Sequence, residues 1–271
     1  QAGDLGKFML AGIKNVAPTG AMFIFAVLFF TIMGDAGVFE RIVNKIIGVV
    51  GSDPIKVCVG TFVITMFCHL DGSGAATFLI VIPAMLPIFD KLKMDRRILA
   101  TIVALGAGTM NMLPWGGPTL RAATALDVPV MELFNPMMLP QICGLIAGIA
   151  IAVMFGIKEK RRLGVSLAEI SVAPMVLSEE EQALRRPKLF WFNLVLIIAT
   201  VAVMVEGSLP PVGCFMAALV IMLMVNYPDV KLQGKLIDAH AKEALMMASV
   251  LFAAGIFTGI MKGSGMIDAM A

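Results

Sequence analysis

Charge is what this sequence lacks. Only 15% of its 271 residues are Asp, Glu, Lys or Arg, against 59% in the hydrophobic set. Soluble domains carry about 25% charged residues. So few charges cannot coat a water-exposed surface of this size, which excludes an ordinary soluble domain. A mean hydropathy of +0.92 agrees, and the chain reads as a membrane protein. The 21 basic and 19 acidic residues nearly cancel, which excludes a strongly basic nucleic-acid binder and an acidic solvating tail.

Metal-site and enzyme signatures are also missing. Cys58, Cys68, Cys143 and Cys214 lie in apolar stretches, form no C-x-x-C pair and have no neighbours at metal-ligand spacing. They read as small apolar residues of membrane helices. There is no G-x-S-x-G, no H-E-x-x-H and no phosphate-cradling glycine loop. An enzyme is therefore not expected, nor a permanently bound cofactor. Gly34-Asp35-Ala36-Gly37 superficially resembles an intramembrane aspartyl protease motif, but it follows an apolar span instead of lying inside one. The first residues of this sequence do not run from a basic region through an apolar core to a small-residue cleavage site, so no secretory signal peptide is expected in them. The first residue is Gln1, and Met270-Ala271 falls within an apolar helical pattern. The chain is thus expected to be a piece of something longer.

What is present are long apolar runs. A crossing helix needs about 20 mostly apolar residues. The stretches 16–34, 98–120, 137–157, 189–205, 209–227 and 244–261 approach that length. Residues 55–89 are apolar but interrupted at Asp71-Gly72-Ser73-Gly74, leaving two arms too short to cross comfortably. They read as a re-entrant hairpin. The Lys/Arg bias tests that reading. Lys91, Lys93, Arg96 and Arg97 place 90–97 inside, and seven bases place 158–188 inside. Asp127 and Glu132, with no base nearby, place 127–136 outside, as Glu206 does for its loop. Lys231, Lys235 and Lys242 place 228–243 inside. All of these agree only if the hairpin does not cross. Within the 158–188 loop, Ser178-Glu179-Glu180-Glu181 can start a short helix that Pro187 ends.

Sliding the chain on itself gives a gap-free match at an offset of 228, with nine identities over 38 aligned positions. Gly6-Lys7 falls on Gly234-Lys235, Ile32-Met33 on Ile260-Met261 and Gly37 on Gly265. The first copy runs outside to inside and the second inside to outside, which makes an inverted repeat of the kind secondary transporters use. The expected division is a first repeat over 1–157 lacking its initial helices, a cytoplasmic linker over 158–188, and the start of a second repeat over 189–271. The offset then expects two further helices before Gln1, a second hairpin tip near residue ~299 and a second break near ~343.

Two places combine polar groups with broken backbone at membrane depth. One is the tip His69-Leu70-Asp71-Gly72-Ser73-Gly74-Ala75-Ala76-Thr77; the other is Asn111-Met112-Leu113-Pro114-Trp115-Gly116-Gly117-Pro118-Thr119, followed by Arg121. Unpaired backbone survives there only when buried in protein or lining a wet cavity. Asp71 either caps the second arm or carries a proton or cation, an intramembrane carboxylate being a functional candidate by default. Asn111 and Thr119 either bond the broken backbone or meet a ligand. Arg121 either reaches to the outer interface or holds a carboxylate in its fork. His69 is a satisfied polar residue or a proton relay, and Trp115 reads as a packing wedge.

Three segments carry a resemblance to a known family. Gly34-Asp35-Ala36-Gly37-Val38-Phe39, Leu70-Asp71-Gly72-Ser73-Gly74 and Asn111 through Thr124 look like the citrate–metal:proton symporters, the CitMHS family of the ion transporter superfamily. The resemblance implies an all-α polytopic membrane protein with inverted repeats, re-entrant hairpins and interrupted helices. It implies proton-driven import of citrate as a complex with Mg²⁺ or Ca²⁺, the metal being cargo, and membrane lipid and a second copy of the chain as partners. The implied setting is the cell's inner membrane with 158–188 cytoplasmic. The substrate-binding set is then Ser73, Gly74, Thr77, Asn111, Gly116, Gly117, Thr119 and Arg121, with Asp71 and His69 for proton coupling or metal contact. Sodium-coupled carriers of the superfamily have Ser-Asn-Thr at the tip, whereas Ser73 here is followed by Gly74-Ala75. That departure favours protons over sodium. A sodium-coupled di- or tricarboxylate carrier and a passive anion channel are the alternatives.

Overall fold

The computed structural model describes residues 4–72, 74–164 and 179–266, without side-chain surroundings for residues 71, 74–76 and 179–181. Among the described residues there are helices and no strand. In order they are α1 (Leu5–Asp35), α2 (Val38–Val50), α3 (Pro54–Cys68), α4 (Gly74–Lys91), α5 (Arg96–Met110), α6 (Gly117–Leu126), α7 (Val130–Leu163), α8 (Glu179–Leu184), α9 (Phe190–Glu206), α10 (Pro211–Asn226) and α11 (Val230–Gly263). Among the described residues, four stretches are long and apolar enough to cross a membrane: Leu5–Asp35, Val130–Leu163, Pro187–Glu206 and Val230–Gly263. The protein is an all-α polytopic membrane protein.

Each expected apolar run is helical, with two adjustments. The run 98–120 is two helices, because Pro114 and Pro118 lack the N–H that would continue α5. The helix α2 was not foreseen: its apolar face buries Val38, Val43 and Val50 while Arg41, Asn44 and Lys45 stay exposed. Such a short amphipathic helix carries no crossing-length signal.

By contacts the chain forms two compact units. One contains residues 34–112 and 137–187. Its core is built from α3, α4 and α5, with Phe62, Ile64, Met85, Phe89, Ile102 and Val103 at its centre. Lipid chains are as apolar as these side chains, so close packing, rather than escape from water, must hold such helices together. Glycines on α7 permit it. A Cβ on Gly148 would lie 2.3 Å from the Phe62 ring, and one on Gly156 only 2.5 Å from the Ile55 backbone.

The hairpin made by α3 and α4 returns to the end from which it starts. Asp53, which caps α3 by accepting from the Ile55 N–H, pairs with Lys160 at 3.3 Å. Just past α4, the Lys93 carbonyl accepts from Arg162 at 2.7 Å, and the Asp95 N–H donates to Glu159 at 2.9 Å. Both feet therefore meet the C-terminal end of α7. With 15 and 18 residues the arms are roughly 22 and 27 Å long, shorter than the ~30 Å hydrocarbon core. The short helix Glu179–Leu184 forms as expected, and Pro187 follows its end. Beyond it, the Arg186 N–H donates to the Ala36 carbonyl at 3.0 Å, Arg41 donates to the Pro187 carbonyl, and Arg185 pairs with Glu40.

The other unit contains residues 1–33, 113–136 and 188–271. Here α6 packs on α11 and α9 on α10. A buried amide pair joins the last two, Asn193 and Asn226 each donating to the other at 2.8 Å. Against α1, the helix α11 approaches so closely that a Cβ on Gly259 would lie 2.4 Å from the Phe8 carbonyl oxygen. Phe30 and Phe215 lie against Trp115 with centroids 5.2 and 5.4 Å away.

Local geometry repeats at the offset read from the sequence. After α1, Gly37 takes a φ of 82° and its N–H donates to the Gly34 carbonyl at 2.8 Å. After α11, Gly265 takes a φ of 74° and its N–H donates to the Lys262 carbonyl at 3.1 Å. Both glycines sit where a left-handed residue must end the helix.

Candidate functional site

The first cluster forms at the tip of the hairpin. Past Cys68 the chain tightens into one 3₁₀ turn, His69–Asp71, and Gly72 closes it with a φ of 75° and an N–H donated to the His69 carbonyl at 3.1 Å. That turn places His69 directly over α3, Thr77 in the first turn of α4, and Asn111 at the C-cap of α5. The His69 ring bonds both of the other side chains. The His69 Nδ1 lies 2.7 Å from the Thr77 hydroxyl, and its Nε2 lies 3.0 Å from the Asn111 carbonyl oxygen. His69 and Thr77 are fully buried.

Donor and acceptor roles follow from the chemistry of these groups. The Asn111 oxygen only accepts, so Nε2 carries a hydrogen. A neutral ring then accepts from the Thr77 hydroxyl through Nδ1, and a protonated ring donates to it instead. The knot holds together in both protonation states, with the hydroxyl hydrogen reoriented between them. That is what a proton-exchanging site needs.

Of the other residues expected at the tip, Gly74 opens α4. Ser73 and the side chain of Asp71 lie outside the described residues, as do the surroundings of Gly74.

The second cluster follows the break. Leu113 through Gly116 form a turn closed by the Gly116 N–H donating to the Leu113 carbonyl at 2.8 Å. Gly116 is extended, and α6 starts at Gly117 with Pro118 behind it. The N–H groups of a helix's first turn have no partner within the helix, so this end is anion-receptive. Arg121 strengthens it: its guanidinium lies back along α6, 3.4 Å from where a Cβ on Gly117 would be. The side chain thus reaches toward the break and not toward the Leu126 end of α6. Thr119 is buried and engaged in a contact of its own. Trp115 is 2% exposed within its aromatic cluster and is a packing wedge.

Clefts also lie elsewhere among the described residues. Two open ones of about 580 and 510 Å³ share Asn15, Val16, Thr124 and Asp127 and contain none of the expected binding residues. Between them Asp127 accepts from Lys262 at 2.5 Å and from Asn15, and these donors hold its carboxyl below the usual carboxylate range. Sequence reasoning passed over this cluster and over Glu159. Glu159 is the one acid among the bases of 158–162, and that was its only signal.

The fold is that of a helical membrane protein with polar clusters at two breaks in its helices. A family model described as citrate transporter, CitMHS, matches residues 7–271. A "Citrate transporter" of Bacillus subtilis (strain 168) is 48% identical over 269 residues, covering 99% of this chain and 62% of the relative. A "Mg(2+)/citrate complex secondary transporter" of the same organism is 43% identical with the same coverage. An "Uncharacterized transporter YraO", also from that organism, is 35% identical over 275 residues, covering 98% of this chain and 63% of the relative. The chain belongs to the CitMHS citrate transporter family, and it spans less than two thirds of the length of these curated relatives, all of them named transporters.

Proposed function

We propose that the protein is a secondary transporter that imports citrate complexed with Mg²⁺ or Ca²⁺, driven by proton symport. The observation that carries this reading is the buried His69–Thr77–Asn111 knot, a proton-exchangeable group beside broken helix ends. The relatives' names supply the cargo. Thr77, Asn111, Gly116, Gly117, Thr119 and Arg121 contact the complex together with Ser73 and Gly74, and Arg121 holds a carboxylate. Asp71 takes the coupled proton or touches the metal, with His69 beside it as relay.

The protein sits in the cell's inner membrane, surrounded by lipid, with 158–188 in the cytoplasm and a homodimer as its assembly. The hairpin feet at one end of α7 support that topology, since a single crossing helix over 55–89 would separate them. The division into a first inverted repeat over 1–157, a linker over 158–188 and the start of a second over 189–271 is supported by the matching turns at Gly37 and Gly265.

Uptake of labelled citrate by proteoliposomes carrying the full-length protein, with Mg²⁺ or Ca²⁺ and an imposed pH gradient, tests the reading. Accumulation should require both. Uptake indifferent to metal and pH gradient overturns it, sodium dependence points to a sodium-coupled carrier, and mere equilibration to a channel. Asp71→Asn should abolish proton-driven uptake; undiminished uptake would leave Asp71 as a cap.

A further inference from the structure

A polar side chain buried in a membrane protein is costly unless it is engaged. Among the described residues, five buried threonines donate to carbonyls four residues back. Asn193 and Asn226 bond each other, and Glu159 binds Arg162 and the Asp95 N–H. Gln141 on α7 is the exception. It is 5% exposed and makes no hydrogen bond among the described residues.

Helix register shows where that amide lies. Gly144, Gly148 and Gly156 of α7 contact Thr109, Phe62 and Ile55. Gln141 is three residues before Gly144 and seven before Gly148, so it lies on the same face. From Ile55 against Gly156 to Phe62 against Gly148, α3 runs antiparallel to α7. Seven more residues along α3, and seven back along α7, bring His69 level with Gln141. A second helix gives the same level. Asp95 meets Glu159 and Thr109 meets Gly144, so two further residues of α5 bring Asn111 within one position of Gln141. Two independent registers converge on the height at which His69 and Asn111 bond each other. Backbone is open there as well: Pro140 has no N–H to give the Pro136 carbonyl.

We infer that Gln141 is a further substrate-contacting residue of the tip site, its amide offering two N–H donors to a carboxylate and its carbonyl to a hydroxyl or metal-bound water. The inference rests on the transport reading above. An amide suits this place because it does not titrate, so its contacts survive a change in the protonation of His69.

The test measures binding of citrate–Mg²⁺ to the purified full-length protein, and thermal melting of the same samples, for wild type, Gln141→Leu, Gln141→Asn and Asn193→Leu. Gln141→Leu should weaken binding tenfold or more without lowering the Tm, because it removes an amide that makes no hydrogen bond among the described residues. Gln141→Asn, with the amide drawn back by one methylene, should lose affinity in the same way. Asn193→Leu orphans Asn226, so it should lower the Tm and leave the Kd within twofold. If the Gln141 variants instead melt lower, fail to fold, or bind as tightly as wild type, the inference is overturned. A wild type that binds no citrate complex overturns the transport reading, and melting still judges Gln141. A Leu variant less stable than wild type makes the amide structural, and one as stable or more stable supports an amide kept for a ligand.

Discussion

Replacing Glu159 with Ala removes the acceptor that ties the hairpin's second foot to α7. The side chain is 3% exposed; Oε1 accepts from the Arg162 Nε at 2.8 Å, and Oε2 accepts from the Arg162 Nη2 at 2.6 Å and the Asp95 N–H at 2.9 Å. A broken buried ion pair costs about 3–5 kcal/mol when both charges are fully buried. Arg162 is half exposed and keeps its bond to the Lys93 carbonyl, so water recovers much of its share. The orphaned Asp95 N–H and the lost charge-assisted bonds leave about 2–3 kcal/mol. That corresponds to a Tm lower by roughly 5–10 °C, readable by a thiol-reactive dye because Cys58 and Cys68 are buried in the same unit. Glu159→Gln keeps one acceptor and should cost about half as much. The Arg162 hydrogen bonds, aided by the Asp95 amide and opposed by burial, hold the Glu159 carboxyl below the usual carboxylate range. A depressed folded value means stability that is present above the ordinary value of about 4.3 and is lost as pH falls through the lower folded value. The gap between wild type and Glu159→Gln should thus stay constant from neutral pH down to about 5 and close only below about 4.3. An Ala variant melting within about 1 °C of wild type would refute the reasoning.

Three further outcomes are expected. Gly156→Ala pushes a Cβ to 2.5 Å from the Ile55 backbone, which cannot yield as a side-chain end can, so it should destabilise by about 1–3 kcal/mol. Gly108→Ala faces open space and should leave the Tm equal or slightly higher; equal melting of the two variants would contradict the packing account. Trp115→Ala empties the centre of the Phe30–Phe215 cluster and should cost about 3–5 kcal/mol, while Trp115→Phe melts nearer wild type; an Ala variant as stable as wild type would deny the wedge role. His69→Gln keeps polar atoms near Thr77 and Asn111 but cannot take a proton in this range. Liposome uptake by that variant should no longer respond to a pH gradient; a full response would assign the coupled proton elsewhere.

How far the site could be read in advance varied with the signal each residue leaves. Asp71, Asn111, Gly116 and Arg121 stood out as polar or helix-breaking residues within apolar runs. Gln141 carried a similar mark, the single amide in the run 137–157, yet nothing in the sequence says which helix face it takes or what lies opposite. Glu159 was hidden among bases, because a loop acid between lysines and arginines looks solvated until burial shows otherwise. The helix α2 escaped because thirteen amphipathic residues satisfy neither a crossing length nor a polar loop composition.

By itself the sequence determined the membrane class, the apolar runs, the interrupted helix and the offset of 228. These depend on composition and spacing along one dimension, where the absence of charge and the positions of proline and glycine act locally. Only the tertiary structure decided which polar groups meet. His69, Thr77 and Asn111 lie on three different elements, and their bonds exist because the tip turn, the first turn of α4 and the end of α5 reach one height. Gly156 and Gly148 matter for the same reason. A missing side chain leaves no trace along the chain until a second backbone comes to occupy its space.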